Sequence, residues 1–495
     1  MENNKINLNT MKKTLLFLVS VFCITFIVNA QTNFASIQNI DSNTGNEPYR
    51  ITSGDLDGDG IVDLVMGTYD VNGTMDFIKW YKNDGNGNFS ETATSQVSSG
   101  VQFIDGLVIA DIDGLHGNDI IATSIKDNKL VYFLSNGTGG FGSEVQIGGD
   151  IDGISQIVAG DINKDGNIDL ALVAWPDPEI NMNDEDHKVS WLSGDGAGNF
   201  TTETNISTAF IDGYGARTID IKDFDGDTDL DILVGYYYGS IEIYYNQYIE
   251  SGTMTVSWIK DAVTVDSGYT NLIQSIFADV NNDGTMDVLK VDNSTGAVEW
   301  FSKIKNGTST PHSISNSTIV LRPGSVAIAD VDNDNIDDVI LTETNEVNGN
   351  SSDIIWFKGA NNASPSATPA SVGSDSRRVY FMAVEDFDYD GDIDIAFANN
   401  QDDTLEWYEN EWDLLSINDN EINKLHIYPN PTNNILNFNV PFTDNFKVSV
   451  YDTIGKRVLN TTIENGNSLN VSKLNSGMYI LKFDDYNRNF KFVKQ

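Results

Sequence analysis

The chain has 495 residues, 40% of them apolar, and a formal charge of −44 at pH 7. That length holds a sizeable core in one large domain or several small ones, while the charge excludes nucleic acid and anionic membrane surfaces as partners and favours cations. Residues 1–30 carry a net +2 and residues 421–495 a net +3, which leaves −49 for residues 31–420, so the acidity belongs to the middle of the chain.

At the start, Lys12-Lys13 precede an apolar run from Thr14 to Val28, and the small Ala30 follows. A basic flank, an apolar stretch and a small residue predict a secretory signal peptide over residues 1–30, with Met11 as an alternative start. The run is short for a retained membrane anchor. Bulky Phe22 before the sole cysteine, Cys23, speaks against a lipid anchor. Cleavage after Ala30 leaves a mature protein without disulfides, so an exported chain needs another brace.

Self-similarity comes next. One segment recurs seven times: DLDGDGIVD from Asp55, DIDGLHGND from Asp111, DINKDGNID from Asp161, DFDGDTDLD from Asp223, DVNNDGTMD from Asp279, DVDNDNIDD from Asp330 and DFDYDGDID from Asp386, spaced 50 to 62 residues apart. Apolar alternation on both sides makes each segment a loop between two strands. About twenty residues on lies an aromatic strand, as in IKWYKND around Trp80 and IIWFKG around Trp356, and in the first three copies a Gly-rich turn and a further strand follow. Four strands per period form a small sheet that buries its faces only by stacking on its neighbours. The seventh copy stops after Trp407-Tyr-Glu-Asn410, and Asn33-FASIQNID resembles the strand it lacks. The expectation is an all-β, seven-bladed β-propeller over residues 31–410, closed by its own N-terminal strand.

The loop pattern D-x-D-x-D-G-x-x-D places oxygens at positions 1, 3, 5 and 9 of a tight turn, with a flexible residue at 6. Adjacent carboxylates about 4 Å apart repel by roughly 1 kcal/mol per pair in water, and a hard cation relieves them; Ca²⁺ suits the irregular cage better than Mg²⁺. The ligands expected are Asp55, Asp57, Asp59 and Asp63; Asp161, Asn163, Asp165 and Asp169; Asp223, Asp225, Asp227 and Asp231; Asp279, Asn281, Asp283 and Asp287; Asp330, Asp332, Asp334 and Asp338; Asp386, Asp388, Asp390 and Asp394. The second copy carries Leu115 and His116 at positions 5 and 6, so about six Ca²⁺ sites are expected and the second is in question. Thr228 and Asn335 replace glycine at position 6 of the fourth and sixth copies, and Thr tolerates positive φ poorly. Solvated Asp-Gly turns are the bland alternative, weakened by seven phased copies.

Spacing, Asp loop and following aromatic strand together resemble the FG-GAP/VCBS propeller repeats, seen also in integrin α-subunit heads, over residues 31–410. That resemblance implies a scaffolding role for the calcium loops and a ligand site on the opposite face. The residues flanking the strands there are Tyr49, Arg50, Trp175, Tyr214, Arg217, Tyr269, Arg322, Arg377, Arg378 and Tyr380, besides the Tyr236–Tyr238 run. Aromatics beside Arg stack on sugars or clamp carboxylates; the alternative is rim side chains and internal ion pairs. Histidines 116, 187, 312 and 426 are scattered and no nucleophile elbow or zinc spacing occurs, although His187 lies among acids. Two functions stay open: a secreted or cell-surface binding and adhesion module for a glycan or protein ligand, and a secreted polysaccharide lyase using Tyr or Arg.

After a linker over residues 411–424, residues 425–495 change composition and alternate apolar strands with Asn-Pro and Asn-Gly turns, which predicts a small Ig-like β-sandwich. YPNP from Tyr428, VYD from Val450, GMYIL from Gly477 and the lysine-bearing last strand are similar, in that order, to the type IX secretion C-terminal sorting domain. The resemblance implies export across the outer membrane by that machinery to the cell surface or beyond.

Overall fold

The computed structural model describes residues 34–45, 47–69, 76–90, 96–98, 100–175, 188–201, 203–207, 215–248, 255–263, 271–305, 308–315, 322–343, 352–376, 378–411, 426–439, 446–452, 456–463, 468–483 and 488–494. The predicted signal peptide, the insertion at 176–187 and most of the linker fall outside them. Among the described residues no helix is long and apolar enough to cross a membrane.

Each repeat builds an antiparallel sheet. Its first strand leads into the Asp loop: Pro48–Gly54, Ile104–Ala110, Ile154–Gly160, Ala216–Lys222, Leu272–Ala278, Pro323–Ala329 and Val379–Glu385. Its second strand leaves that loop: Asp63–Thr68, Asp119–Ser124, Asp169–Ala174, Asp231–Tyr236, Asp287–Asp292, Asp338–Glu343 and Asp394–Asn399. The second strands are buried along their whole length, apart from half-buried Glu343. This explains why runs such as DLALVA and DILVGY are apolar on both faces.

The third strands carry the aromatics: Ile78–Asn83, Lys129–Phe133, Lys188–Leu192, Ile241–Asn246, Val298–Lys305, Ser352–Phe357 and Thr404–Tyr408. Sequence reading finds a fourth strand in the first three copies; the structure adds Trp258–Val263, Thr308–Ser315 and Ala370–Ser376 to the fourth to sixth. Those outer strands have exposed, polar positions and leave a weak pattern. The seventh sheet takes its outer strand from the N-terminus, where Gln38–Asp41 pairs with Thr404–Tyr408 in the register Gln38↔Trp407 and Asn39↔Glu406. Phe34 bridges Asn410 beyond it, and the expected closure is present.

The core lies between sheets. Ile51, Met66 and Tyr81 of the first pack against Phe381, Phe387 and Trp407 of the seventh, and Leu233 and Ile243 of the fourth against Phe277, Val288 and Phe301 of the fifth. First strands neighbour first strands all the way round, including Pro48–Gly54 with Val379–Glu385, so they surround a common axis. The Gly-rich turns serve this stacking: a Cβ on Gly139 would meet Trp80 at 2.6 Å, and one on Gly87 would meet Trp407 at 2.5 Å.

The C-terminal region forms two further sheets, one of His426–Tyr428, Ile435–Asn439 and Ser468–Asn470, the other of Phe446–Asp452, Arg457–Ile463, Gly477–Phe483 and Arg488–Lys494. Leu436 and Phe438 of the first share a core with Val450, Leu481, Phe483 and Phe492 of the second.

Candidate metal centres

Position 1 organises each loop. Asp55 accepts the N–H groups of Gly58 and Gly60 at 2.8 and 2.9 Å, and Asp161, Asp223, Asp279, Asp330 and Asp386 accept that of their position 6 at 2.7 to 3.1 Å. In the second copy Asp111 accepts from Gly114 at 2.8 Å. Closing so tight a turn requires two left-handed residues. Position 6 is one, with Thr228 at φ 82° and Asn335 at 64° beside the glycines. Position 4 is the other, and there Lys164, Asn282, Asn333 and Tyr389 all take positive φ. Sequence reading foresaw the first and missed the second.

The residues at position 4 reach the next loop. Lys164 Nζ donates to Thr228 Oγ1 at 2.5 Å, Asn282 Nδ2 to the Asp337 carbonyl at 3.2 Å, and Asn333 Nδ2 to that of Gly391 at 3.3 Å. The Tyr389 hydroxyl accepts the Val62 N–H at 2.8 Å across the closing junction. A second set of bolts starts from the third strands: Asn83, Asn246 and Asn410 donate to the carbonyls of Phe387, Ile162 and Val331 in the preceding loop.

Position 9 is the first residue of the buried second strand. Asp63 takes the N–H groups of Leu56 and Asn83, and Asp119, Asp169, Asp231, Asp338 and Asp394 repeat the arrangement. Burial pushes these carboxyls up, to about 6 for Asp119 and Asp169, about 7 for Asp63, Asp231 and Asp338, and about 9 for Asp394, against the lowering effect of the N–H donors. Burial likewise raises Asp287 to about 7; it is 1% exposed, and the nearby Val280 and Asn281 amides make no bond of ordinary geometry to it. Each is a buried carboxyl whose charged form is disfavoured by the loss of water and is restored by a nearby cation.

Carboxylate oxygens of positions 1, 3 and 9 come within 4.8 Å of one another in the loops of Asp55, Asp111, Asp223, Asp330 and Asp386. The second copy therefore gathers Asp111, Asp113 and Asp119, while Leu115 at its position 5 is 56% exposed. In the third and fifth, Asn163 and Asn281 hold position 3, and Asn281 Nδ2 donates to Asp283 at 3.1 Å. An all-oxygen, mostly anionic donor set with orphaned buried atoms on Asp287 and Asp332 fits a hard divalent ion. Two lysines that sequence reading passed over also enter: Lys82 lies against Asp57 and Asp59, and Lys358 against Asp332 and Asp334. Their sequence signal is a Lys two residues after Trp80 and Trp356.

At the opposite ends of the first strands, Tyr49, Arg50 and Tyr380 come together. The Tyr49 ring lies 5.1 Å from Tyr69, 5.0 Å from Tyr380 and 5.2 Å from Phe381, while Arg50 pairs with Asp105 at 2.9 Å and stands 3.6 Å over Phe381. Burial, then Asp105, raises the Tyr49 hydroxyl far above its usual range. Trp175 and Arg217 form a second group with Tyr237: the indole lies 5.2 Å from Tyr237, and Arg217 stands over both rings and donates to Asn271. Arg322 and Arg378 flank neighbouring first strands; Tyr214, Tyr269 and Arg377 lie outside the described residues. On the loop side, a cleft of about 1120 Å³ between the fourth and fifth sheets is lined by Asp225, Asp283, Tyr245, Trp300 and His312.

Comparison with known proteins places these features. The FG-GAP-like repeat model matches residues 55–114, 117–172, 223–290 and 279–341, and the secretion system C-terminal sorting domain matches residues 426–495. No curated protein matches the sequence. Solved structures similar in shape include an Agrocybe aegerita lectin described as recognising non-reducing terminal N-acetylglucosamine, at 16% identity over 66% of this chain and 81% of that one, with a TM-score of 0.45. Others are the Dos1 propeller, at 10% identity, 75% and 95% coverage and 0.45, and the Aleuria aurantia lectin with α-methyl-L-fucoside, at 13%, 68% and 100%, and 0.41. The chain carries FG-GAP-like repeats and, over residues 426–495, a secretion-system C-terminal sorting domain, which marks it for export by type IX secretion to the cell surface or the extracellular space.

Proposed function

We propose that this protein is a calcium-braced, seven-bladed binding propeller, followed by an Ig-like sorting sandwich, that presents an aromatic and arginine-bearing face to a glycan or protein ligand outside the cell. The observation that carries the reading is the division between its two ends. One end has seven phased acidic loops, each rooted in a buried aspartate that gains from a cation. The other has two aromatic groups, around Tyr49 and around Trp175, and at the second the planar guanidinium of Arg217 stands beside the rings. Rings and guanidinium groups together suit sugar faces and carboxylates. The lyase alternative needs a Tyr or Arg free to take a proton. Tyr49 is held protonated by burial and Arg50 is engaged by Asp105, so binding is the better-supported activity.

Calcium acts here as a brace. At tenfold above its dissociation constant each ion contributes about 1.4 kcal/mol by mass action, and several ions rival the stability of a domain. Melting with calcium and with excess chelator tests this, and identical curves would refute the brace. A glycan array probed with wild type and with Trp175→Ala tests the face; binding that survives Trp175→Ala places the ligand elsewhere, and a blank array leaves protein partners as the ligand class. Ultraviolet assay for unsaturated uronate products would reveal a lyase.

A further inference from the structure

We propose that two of the seven loops carry their own cation: the ammonium groups of Lys82 and Lys358 fill the cages of the first and sixth loops, and the residue at this point of the third strand decides whether a loop takes an external divalent ion. The inference rests on the cation reading above and goes beyond it by assigning the ions unequally.

Lys82 Nζ contacts Asp57 Oδ2 and lies 2.6 Å from Asp59 Oδ2, and Lys358 Nζ contacts Asp332 Oδ2 and lies 2.7 Å from Asp334 Oδ2. Both therefore bridge positions 3 and 5, the oxygens a calcium ion would share. The placement is built in. Each lysine directly precedes the residue, Asn83 or Gly359, whose N–H bonds the buried position-9 carboxylate at 2.8 or 2.6 Å. With its backbone pinned there, the side chain points along the cage. Asp332 is 3% exposed and the Lys358 side chain 46% exposed, so a buried carboxylate is met by an ammonium that reaches in from the surface. An ammonium and a Ca²⁺ ion about 4 Å apart repel by roughly 8 kcal/mol at the effective dielectric of a protein surface, twice the value for two unit charges, which opposes both in one cage.

The same point is Leu134, Ser193, Tyr245 and Glu409 in four other loops, as the bonds from Ser135, Gly194, Asn246 and Asn410 to their position-9 aspartates show, and in the fifth it is Ser302 by its spacing of two residues from Trp300. Ser193 Oγ accepts from Asn163 Nδ2 at 2.9 Å, which confirms that this residue faces position 3. In the seventh loop the residue at this point is Glu409, directly before Asn410, whose N–H bonds Asp394 at 2.8 Å, so a carboxyl stands where the first and sixth loops have an ammonium. The seventh loop is then the tightest external site.

The test counts bound calcium by equilibrium dialysis and measures melting in excess chelator, for wild type, Lys82→Met/Lys358→Met, Glu409→Lys and the control Lys129→Met, whose lysine pairs with Glu144 away from the loops. The double variant is expected to bind two more ions than wild type and to melt a few degrees lower in chelator; Glu409→Lys is expected to bind one fewer. Equal counts in wild type and double variant, or a full count in Glu409→Lys, overturn the proposal. No calcium on any protein would sink the cation reading itself. The chelator melt then judges the lysines alone, and a double variant that melts with wild type overturns their role.

Discussion

Gly87 packs so closely on Trp407 that a Cβ at residue 87 would meet two ring carbons at 2.5 and 2.6 Å. The glycine belongs to the first sheet and the indole to the seventh, so this contact lies on the junction where the two ends of the ring meet. Gly87 also has φ 68°. Gly87→Ala is expected to lose about 2 to 4 kcal/mol through strain and overpacking together. Gly58→Ala, at φ 76° with nothing within 4 Å of the added carbon, is expected to lose about 1 kcal/mol through strain alone. Chemical denaturation of the two variants in calcium gives the difference, and equal losses would show that the indole yields.

Asp41 ties the N-terminal strand to the first sheet. Its Oδ2 accepts from Lys79 Nζ at 3.2 Å and from the Tyr81 hydroxyl at 2.8 Å, and all three residues are buried. Asp41→Ala takes the carboxylate away from the buried Lys79 ammonium, which keeps the Asn43 carbonyl at 3.3 Å, and is expected to cost about 3 kcal/mol. Removing residues 31–41 altogether should destabilise the propeller as a unit, because the outer strand of the seventh sheet goes with them. A single cooperative melt unchanged from wild type would contradict both expectations.

Thr228 holds a left-handed position that costs a β-branched residue roughly 1 to 2 kcal/mol. Thr228→Gly relieves that strain but forfeits the bond from Lys164, worth about 1 kcal/mol. A small net gain is expected, growing when Lys164→Ala is made first; double-mutant denaturation measures it.

His312 lies flat on Trp300, with ring centroids 4.0 Å apart, and its Nε2 faces Ser302 Oγ at 3.0 Å. Burial, with Lys303 adding to it, holds the imidazole below the usual histidine range. Because the folded value is depressed, the neutral ring contributes stability that is present above the unfolded-state value and lost as pH falls through the folded one. Proton NMR should therefore find His312 titrating lower in the folded protein than in urea. His312→Phe should keep the stack and lose this part of the acid sensitivity.

Much of this was legible in the chain. Phased Asp-Gly loops and two-residue alternation are local signals, so seven strand–loop–strand units and the N-terminal strand that closes the last of them could be read directly. What escaped depends on reach. Lys82 acts on Asp57, 25 residues earlier, through a side chain whose aim is set by the Asn83 N–H bond. Arg50 pairs with Asp105 in the next sheet, 55 residues on, which turned an expected ligand residue into an internal ion pair. Left-handed Lys164 and Tyr389 escaped because sequence signals that conformation through glycine, whereas here the contact with the next loop holds it.

The pairing of Gln38 with Trp407 also sets an order of events. Each of the other six repeat sheets can form from one contiguous stretch of chain, but the seventh must wait for two segments about 370 residues apart, and such distant pairings form late. Until they meet, Thr404–Tyr408 presents an open row of amides and carbonyls, an invitation to pair with another copy. A protein bound for the outside of the cell thus keeps its final stitch for last, and crowding during export is the moment at which that unpaired edge matters most.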